Sequence, residues 1–280
     1  MKKLVFATLL AVIALTGFAQ KEAIRVEVSG KGTPVVFLPG FGCSGHVWDR
    51  TVEVLKKDHE CHVVTYSGFD GVPAIDSLWL TTVEQSIRQY LTNNKLKNVT
   101  VVGHSIGGTF GLMLSARTPN PIVRLVVVDM LPCIGQVMIP NFKPEYVSFD
   151  NPYNKRLLAM NTPDFKAMQK QMTANMCSDT TQQKQIVDWM MMADRKTYVY
   201  GYTELMRLDL RESLKSLQVP VLILAAGKYP GKEQILKTYE DQYLNLKNKT
   251  LKFVDASAHF VMYDQPQQLV QELTNFIPAK

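Results

Sequence analysis

Gly103-His104-Ser105-Ile106-Gly107 sets a hydroxyl between two glycines, with the apolar run VTVV before it and the helical pattern TFGLML after it. In a strand, turn, helix setting this spacing predicts a nucleophile elbow. The glycines relieve crowding around a serine held in a strained turn, and the hydroxyl stands at a helix N-terminus, where the dipole favours negative charge. A purely structural turn is the plain alternative. A serine hydroxyl is a weak nucleophile until a base takes its proton, so the reading requires a histidine downstream. Among the five histidines only His259, in FVDASAHFVMYDQP, lies in a loop between a last strand and a last helix. His46 opens a helix, His59 and His62 flank Cys61 near the start of a strand, and His104 adjoins the serine itself. An acyl-transfer serine also needs two amide donors for the oxyanion. Ile106 supplies one, and LPGFGCSG supplies the other at Phe41, where Gly40 and Gly42 let the backbone close in.

These groups need a scaffold, and the hydrophobic pattern describes it. Residues 23–28 alternate as a strand, VVFLPG is a short buried strand, residues 47–57 have helical spacing, and CHVVTY is a further strand. A helix over 81–94, the strand NVTVVG, a helix over 106–117 and the strand VRLVVVD follow. Strands separated by helices imply parallel βαβ units. The alternation stops over 133–208. There Thr162 and Pro163 read as a cap and first turn, Phe165, Met168, Met172 and Met176 share one face, and helices are expected over 180–193 and 196–207. Then VPVLILAAG, a helix over 233–244, TLKFVDA and a helix over 266–276 resume the rhythm. The organisation is therefore an α/β core over 20–132 and 209–280, interrupted by a helical cap over 133–208.

A chain of 280 residues that is 46% hydrophobic and 20% charged can bury a large core. Its net charge of +6 is scattered, which argues against a nucleic-acid surface. The start, MKKLVFATLLAVIALTGFAQ, has two lysines, a short apolar run and small residues at Gly17 and Ala19. It predicts a signal peptide over 1–19, export to the periplasm or medium, and no stable membrane span after cleavage. Cys43, Cys61, Cys133 and Cys177 lack CxxC or framework spacing, so free thiols are expected, with a Cys43 to Cys133 bridge as the alternative. GFGCSG also fits the Gly-x-Gly-x-x-Gly dinucleotide fingerprint, but CHVVTYSGF ends without the acidic residue that would hold a ribose.

In order, the LPGFG loop, GHSIGG, the helical insertion, DLRESL ahead of VPVLIL, and the SAHFVMYDQP ending resemble the α/β-hydrolase superfamily across essentially all of the chain beyond residue 20. The resemblance implies an α/β-hydrolase fold, a mostly parallel central sheet with helices on both faces and an α-helical cap, and a catalytic triad needing neither metal nor cofactor. Pro39 stands where many members have a histidine, a departure that leaves a backbone donor intact. Members often carry the acid in the loop after the strand that is VLILAAG here. That position is Pro230, and the first carboxylate beyond it is Glu233. Other members carry it at the end of the strand after the nucleophile helix, here VVVDMLP, which makes Asp129 the expected acid. Strands lie about 4.8 Å apart, so Asp129 could reach His259 from the strand next to Ser105. Glu233, Asp209 and Asp255 stay open as alternatives, Asp209 reading better as a helix cap.

Methionines crowd the insertion, and flexible thioethers suit an adaptable apolar pocket as well as plain helix packing. Met168, Met172, Met192 and Tyr229 are the expected pocket residues. The reading is a serine hydrolase that cleaves an ester-type bond of a small apolar molecule, forming an acyl-enzyme on Ser105. Amidase or aminopeptidase, lactonase, carbon–carbon hydrolase and perhydrolase chemistry fit the same residues, and so does a binding module that has lost catalysis. Oligomeric state is not legible.

Overall fold

A computed structural model describes residues 23–278 except Ser77, Tyr229 and Pro230. The signal-peptide expectation therefore lies outside the described residues. The elements run β1 (Ile24–Gly30), β2 (Thr33–Leu38), α1 (Asp49–Leu55), β3 (His59–Tyr66), α2 (Trp79–Asn93), β4 (Val99–His104), α3 (Ile106–Ser115) and β5 (Ile122–Val128). Then come α4 (Ile134–Met138), α5 (Pro152–Ala159), α6 (Thr162–Met176), α7 (Thr180–Met192) and α8 (Arg195–Arg207), and finally β6 (Val221–Ala226), α9 (Lys232–Gln242), β7 (Lys249–Val254), α10 (Val261–Asp264) and α11 (Pro266–Phe276).

The strands form one sheet in the order β1-β3-β2-β4-β5-β6-β7. All neighbours are parallel except β1, which pairs antiparallel with β3. Continuous apolar strands are what a sheet covered on both faces requires, because alternate side chains point to opposite layers. Val36, Leu38, Leu125, Val127, Ile223 and Ala225 join one core, with α2, α3 and α9 supplying Ile87, Phe110 and Tyr239. Val35, Phe37, Val126, Val128, Leu222 and Leu224 join the other, with α1 and α11 supplying Leu55 and Leu273. Each fully buried aliphatic side chain is worth roughly 1.5–3 kcal/mol, so these strands hold the sheet's C-terminal edge rigid beneath the site.

Between β5 and β6 lie only helices, and their ends are fixed by side-chain caps. Asn151 caps α5, Asp179 caps α7 and Asp194 caps α8. The cap of α6 is Asn161, whose side chain accepts from the Asp164 amide at 2.9 Å; Thr162, expected to be the cap, is the first helical residue. The short helices α4 and α5 are too brief for the hydrophobic period to mark them. The insertion is tied to the core at α2: Glu204 of α8 accepts from the Trp79 and Leu80 amides at 3.0 and 2.8 Å, capping a helix that lacks a cap of its own. Burial raises the Glu204 pKa, opposed by those two hydrogen bonds. All four cysteines are free and buried, so there is no Cys43 to Cys133 bridge.

Candidate active site

Ser105 lies between β4 and α3 with φ 52° and ψ −125°, a conformation that L-residues rarely adopt. Its flanking glycines are required by contact. A Cβ on Gly103 would lie 2.2 Å from the Gly107 carbonyl oxygen, and one on Gly107 would lie 2.2 Å from the Leu38 carbonyl oxygen. The turn is held by the Ser105 amide donating to Val128 O at 2.9 Å and by the Gly108 amide closing onto Ser105 O at 2.8 Å. The Ile106 amide precedes that first closed turn of α3, which leaves it available as a donor.

Asp129 follows β5 directly, also at positive φ (50°), on the strand beside the one that leads to Ser105. Its Oδ2 faces His259 Nδ1 at 2.6 Å, while Oδ1 accepts from the Ala226 amide at 2.8 Å and the Tyr239 hydroxyl at 2.9 Å. Burial alone would raise the Asp129 pKa. The His259 hydrogen bond and charge, with the Ala226 and Tyr239 donors, outweigh it and hold the carboxyl below its ordinary value. An ionised Asp129 can only accept, so His259 Nδ1 carries the proton and Nε2 is left as a basic lone pair.

The other carboxylates are elsewhere. Glu233 is exposed in the first turn of α9. Asp255 is exposed and pairs with Lys232 at 2.6 Å. Asp209 pairs with Arg211 and caps no helix.

A feature that sequence reasoning did not find is His104. It is fully buried, and its Nε2 donates to the His259 carbonyl oxygen at 2.9 Å, with the two rings 4.5 Å apart. Burial, then the neighbouring His259, lowers the His104 pKa well below that of a free histidine, so it is neutral. Nothing in GHS reveals a contact made across the whole second half of the fold.

Ser105, His259, Gly40 and Phe41 line a cavity of about 290 Å³ whose far wall is built from the inserted helices. Met172 of α6 lines it together with Met176 and Met190. Met168 instead packs inside the insertion against Phe165 and Tyr198, and Met192 is 57% exposed. The helical period gives the apolar face but not which end of that face meets the cavity. Tyr229 lies outside the described residues. Tyr153, Tyr198 and Tyr202 add phenols, and burial pushes the Tyr198 hydroxyl up to about 12, so it is neutral. Among the described residues, no Asp, Glu, Lys or Arg lines the cavity.

Cys43, behind the Phe41 turn, is pushed up to about 12 by burial, so its thiol stays protonated. Among the described residues no cluster of three His, Cys, Asp or Glu side chains is placed to hold a metal ion, and none of their helices is long and apolar enough to cross a membrane.

A sequence model described as the alpha/beta hydrolase family matches residues 35–272. The pimeloyl-[acyl-carrier protein] methyl ester esterase of Aliivibrio fischeri (strain MJ11) is 24% identical over 252 residues, 90% of this chain and 96% of that protein. The enzyme of the same name from Vibrio cholerae is 24% identical over 258 residues, 91% and 98% of the two chains. In structure the chain is similar to an esterase from Exiguobacterium antarcticum, with TM-score 0.76, 21% identity and coverage of 90% and 94%. It is also similar to the enol-lactonase from Burkholderia xenovorans LB400, with TM-score 0.74, 14% identity and coverage of 91% and 96%.

Proposed function

The chain is an esterase-type member of the alpha/beta hydrolase family, and on that premise we propose that it hydrolyses esters of small, uncharged, apolar acyl groups through an acyl-enzyme on Ser105. The observation that carries this reading is the His259 to Asp129 pair at 2.6 Å, beside a cavity that the elbow serine shares. In the first half-reaction His259 Nε2 takes the Ser105 proton as Oγ attacks the ester carbonyl. The oxyanion is received by the Ile106 and Phe41 amides, each such donor being worth roughly 2.7–4 kcal/mol. His259 then gives the proton to the departing alcohol, and water repeats the sequence to free the acid. Asp129 stabilises the imidazolium and fixes its tautomer.

An uncharged pocket wall with Met172, Met176 and Met190 supports a linear or small acyl group. That relatives bear the name of a methyl ester esterase supports a small alcohol as leaving group. The lysine-led apolar start before Gln20 supports export, which the N-terminal sequence of protein recovered from producing cells would test.

The functional test is a panel of p-nitrophenyl esters of graded chain length, run beside aminoacyl anilides and a simple lactone on purified protein. Turnover of short and medium esters that Ser105→Ala loses is the expected result. Anilide or lactone turnover exceeding that of every ester would move the reading to an amidase or lactonase, and no turnover in any arm would favour a binding module.

A further inference from the structure

Asp264 ends α10, five residues after His259, and it is bonded on two sides. Its Oδ2 accepts from the Ala258 amide at 2.8 Å, immediately before His259, and from the Ser178 hydroxyl at 3.1 Å. Its Oδ1 accepts from the Ser178 amide at 2.8 Å. Ser178 lies in the short link between α6 and α7, so one carboxylate spans the insertion and the turn that carries His259. Two neighbours reinforce the junction. The Phe260 amide donates to the carbonyl of Met176, the last residue of α6, at 3.0 Å, and Lys228 Nζ donates to Ser178 Oγ at 2.8 Å. Capping of its own turn would need only the Ala258 bond. The bonds to Ser178, in a segment 86 residues away in sequence, do something else.

Met172 and Met176, on α6 ahead of that link, form part of the cavity wall. Moving α6 outward would break the Asp264 to Ser178 bonds and the Phe260 to Met176 bond. That would loosen residues 258–260, the backbone that aims the imidazole. We propose that Asp264 is a positioning residue that clasps the α6–α7 link to the His259 turn, so that the pocket wall and the imidazole keep one geometry. The clasp acts through His259 and touches no substrate. It rests on the reading of His259 as base, since only then does its aim set the rate. Misplacement of a reacting group by about 1 Å can cost about a hundredfold in rate, so even a small loosening is measurable.

The test uses the full protein with Asp264→Ala and Ser178→Pro. The second removes both Ser178 donors, amide and hydroxyl, and leaves the Ala258 bond in place; Cys177 is extended (φ −142°, ψ 137°), as a residue before proline must be. Two readouts are taken on variants whose circular dichroism matches wild type: the low-field proton resonance of His259 Nδ1–H, and kcat and KM for p-nitrophenyl acetate. Both variants are expected to shift or broaden the resonance. Both are expected to lower kcat by roughly 10- to 100-fold with KM held within about twofold. A wild-type resonance in Asp264→Ala, or loss in Asp264→Ala with Ser178→Pro unchanged, would overturn the clasp. If Ser178→Pro does not fold, Asp264→Asn replaces it. That substitution keeps one acceptor oxygen and is expected to fall between wild type and Asp264→Ala on both readouts, while wild-type behaviour would again overturn the proposal. Wild-type protein inert toward every ester of the panel would refute the esterase reading, and the resonance would still decide the clasp.

Discussion

Asp129→Asn should leave the fold standing and nearly abolish turnover, and the hydrogen bonds say why. The substituted amide has one acceptor oxygen and one donor NH2 to fit three positions: the Ala226 amide at 2.8 Å, the Tyr239 hydroxyl at 2.9 Å and His259 Nδ1 at 2.6 Å. The Ala226 N–H is backbone and cannot reverse, so the amide oxygen must stay on the Ala226 and Tyr239 side. The NH2 then faces Nδ1, which can meet it only as an acceptor. His259 is driven into the opposite tautomer, with its proton on Nε2, and can no longer take the proton of Ser105. The same inversion in a triad lowers kcat by about 10⁴, or about 5.4 kcal/mol of transition-state stabilisation. Stability should drop by only about 1–2 kcal/mol, since the Ala226 and Tyr239 donors keep their acceptor and the charge is what is lost. Steady-state p-nitrophenyl ester kinetics and thermal melts measure both quantities. Turnover within about threefold of wild type would refute the tautomer argument. Glu233→Gln should be silent in the same assay, and loss of activity there would transfer the role.

Three further perturbations follow from the same geometry. Ser105→Gly should be inactive yet melt roughly 2–4 °C higher, because glycine relaxes the φ 52° turn by about 1 kcal/mol net; a lower melting temperature would contradict the strain. Gly107→Ala should yield little folded protein, since the new Cβ would lie 2.2 Å from the backbone oxygen of Leu38, which no rotamer can move; a soluble, active variant would contradict it. Burial lowers the His104 pKa below its ordinary 6.5, as it does for His59 and His62, so the unfolded chain binds more protons below that pH. The contribution to stability is complete above about pH 6.5 and lost as pH falls toward the depressed values, with a slope of up to about 1.4 kcal/mol per pH unit for each histidine. Urea midpoints taken from about pH 8 down to about pH 5 should therefore decline, and a flat profile would contradict neutral burial of His104.

How far the sequence was legible depends on which distances a pattern can carry. Strands such as VVFL, VTVV and VLIL are readable because a sheet covered on both faces needs side chains of Val35 and Val36, or Leu222 and Ile223, to be apolar alike. Asp129 is legible through the resemblance, which puts an acid after the strand that follows the nucleophile helix, whereas its donors Ala226 and Tyr239 come from the following strand and helix and leave no local mark. Helix ends slipped by a residue or so, as at Asn161 and Thr162, because both residues can cap and only the backbone decides. Pocket residues were least legible. Met190 faces the cavity and Met192 faces solvent on one continuous MMM run, a difference set by how α7 rotates against the core.

Catalysis by this site requires a covalent bond at one oxygen, and intact-mass spectrometry after brief exposure to a fluorophosphonate reads it directly. One adduct per chain is expected, mapping to the peptide that contains Ser105. The adduct should be absent from Ser105→Ala and form far more slowly in His259→Ala and Asp129→Asn. No adduct on the wild-type protein, or an adduct on another residue that survives Ser105→Ala, would contradict it.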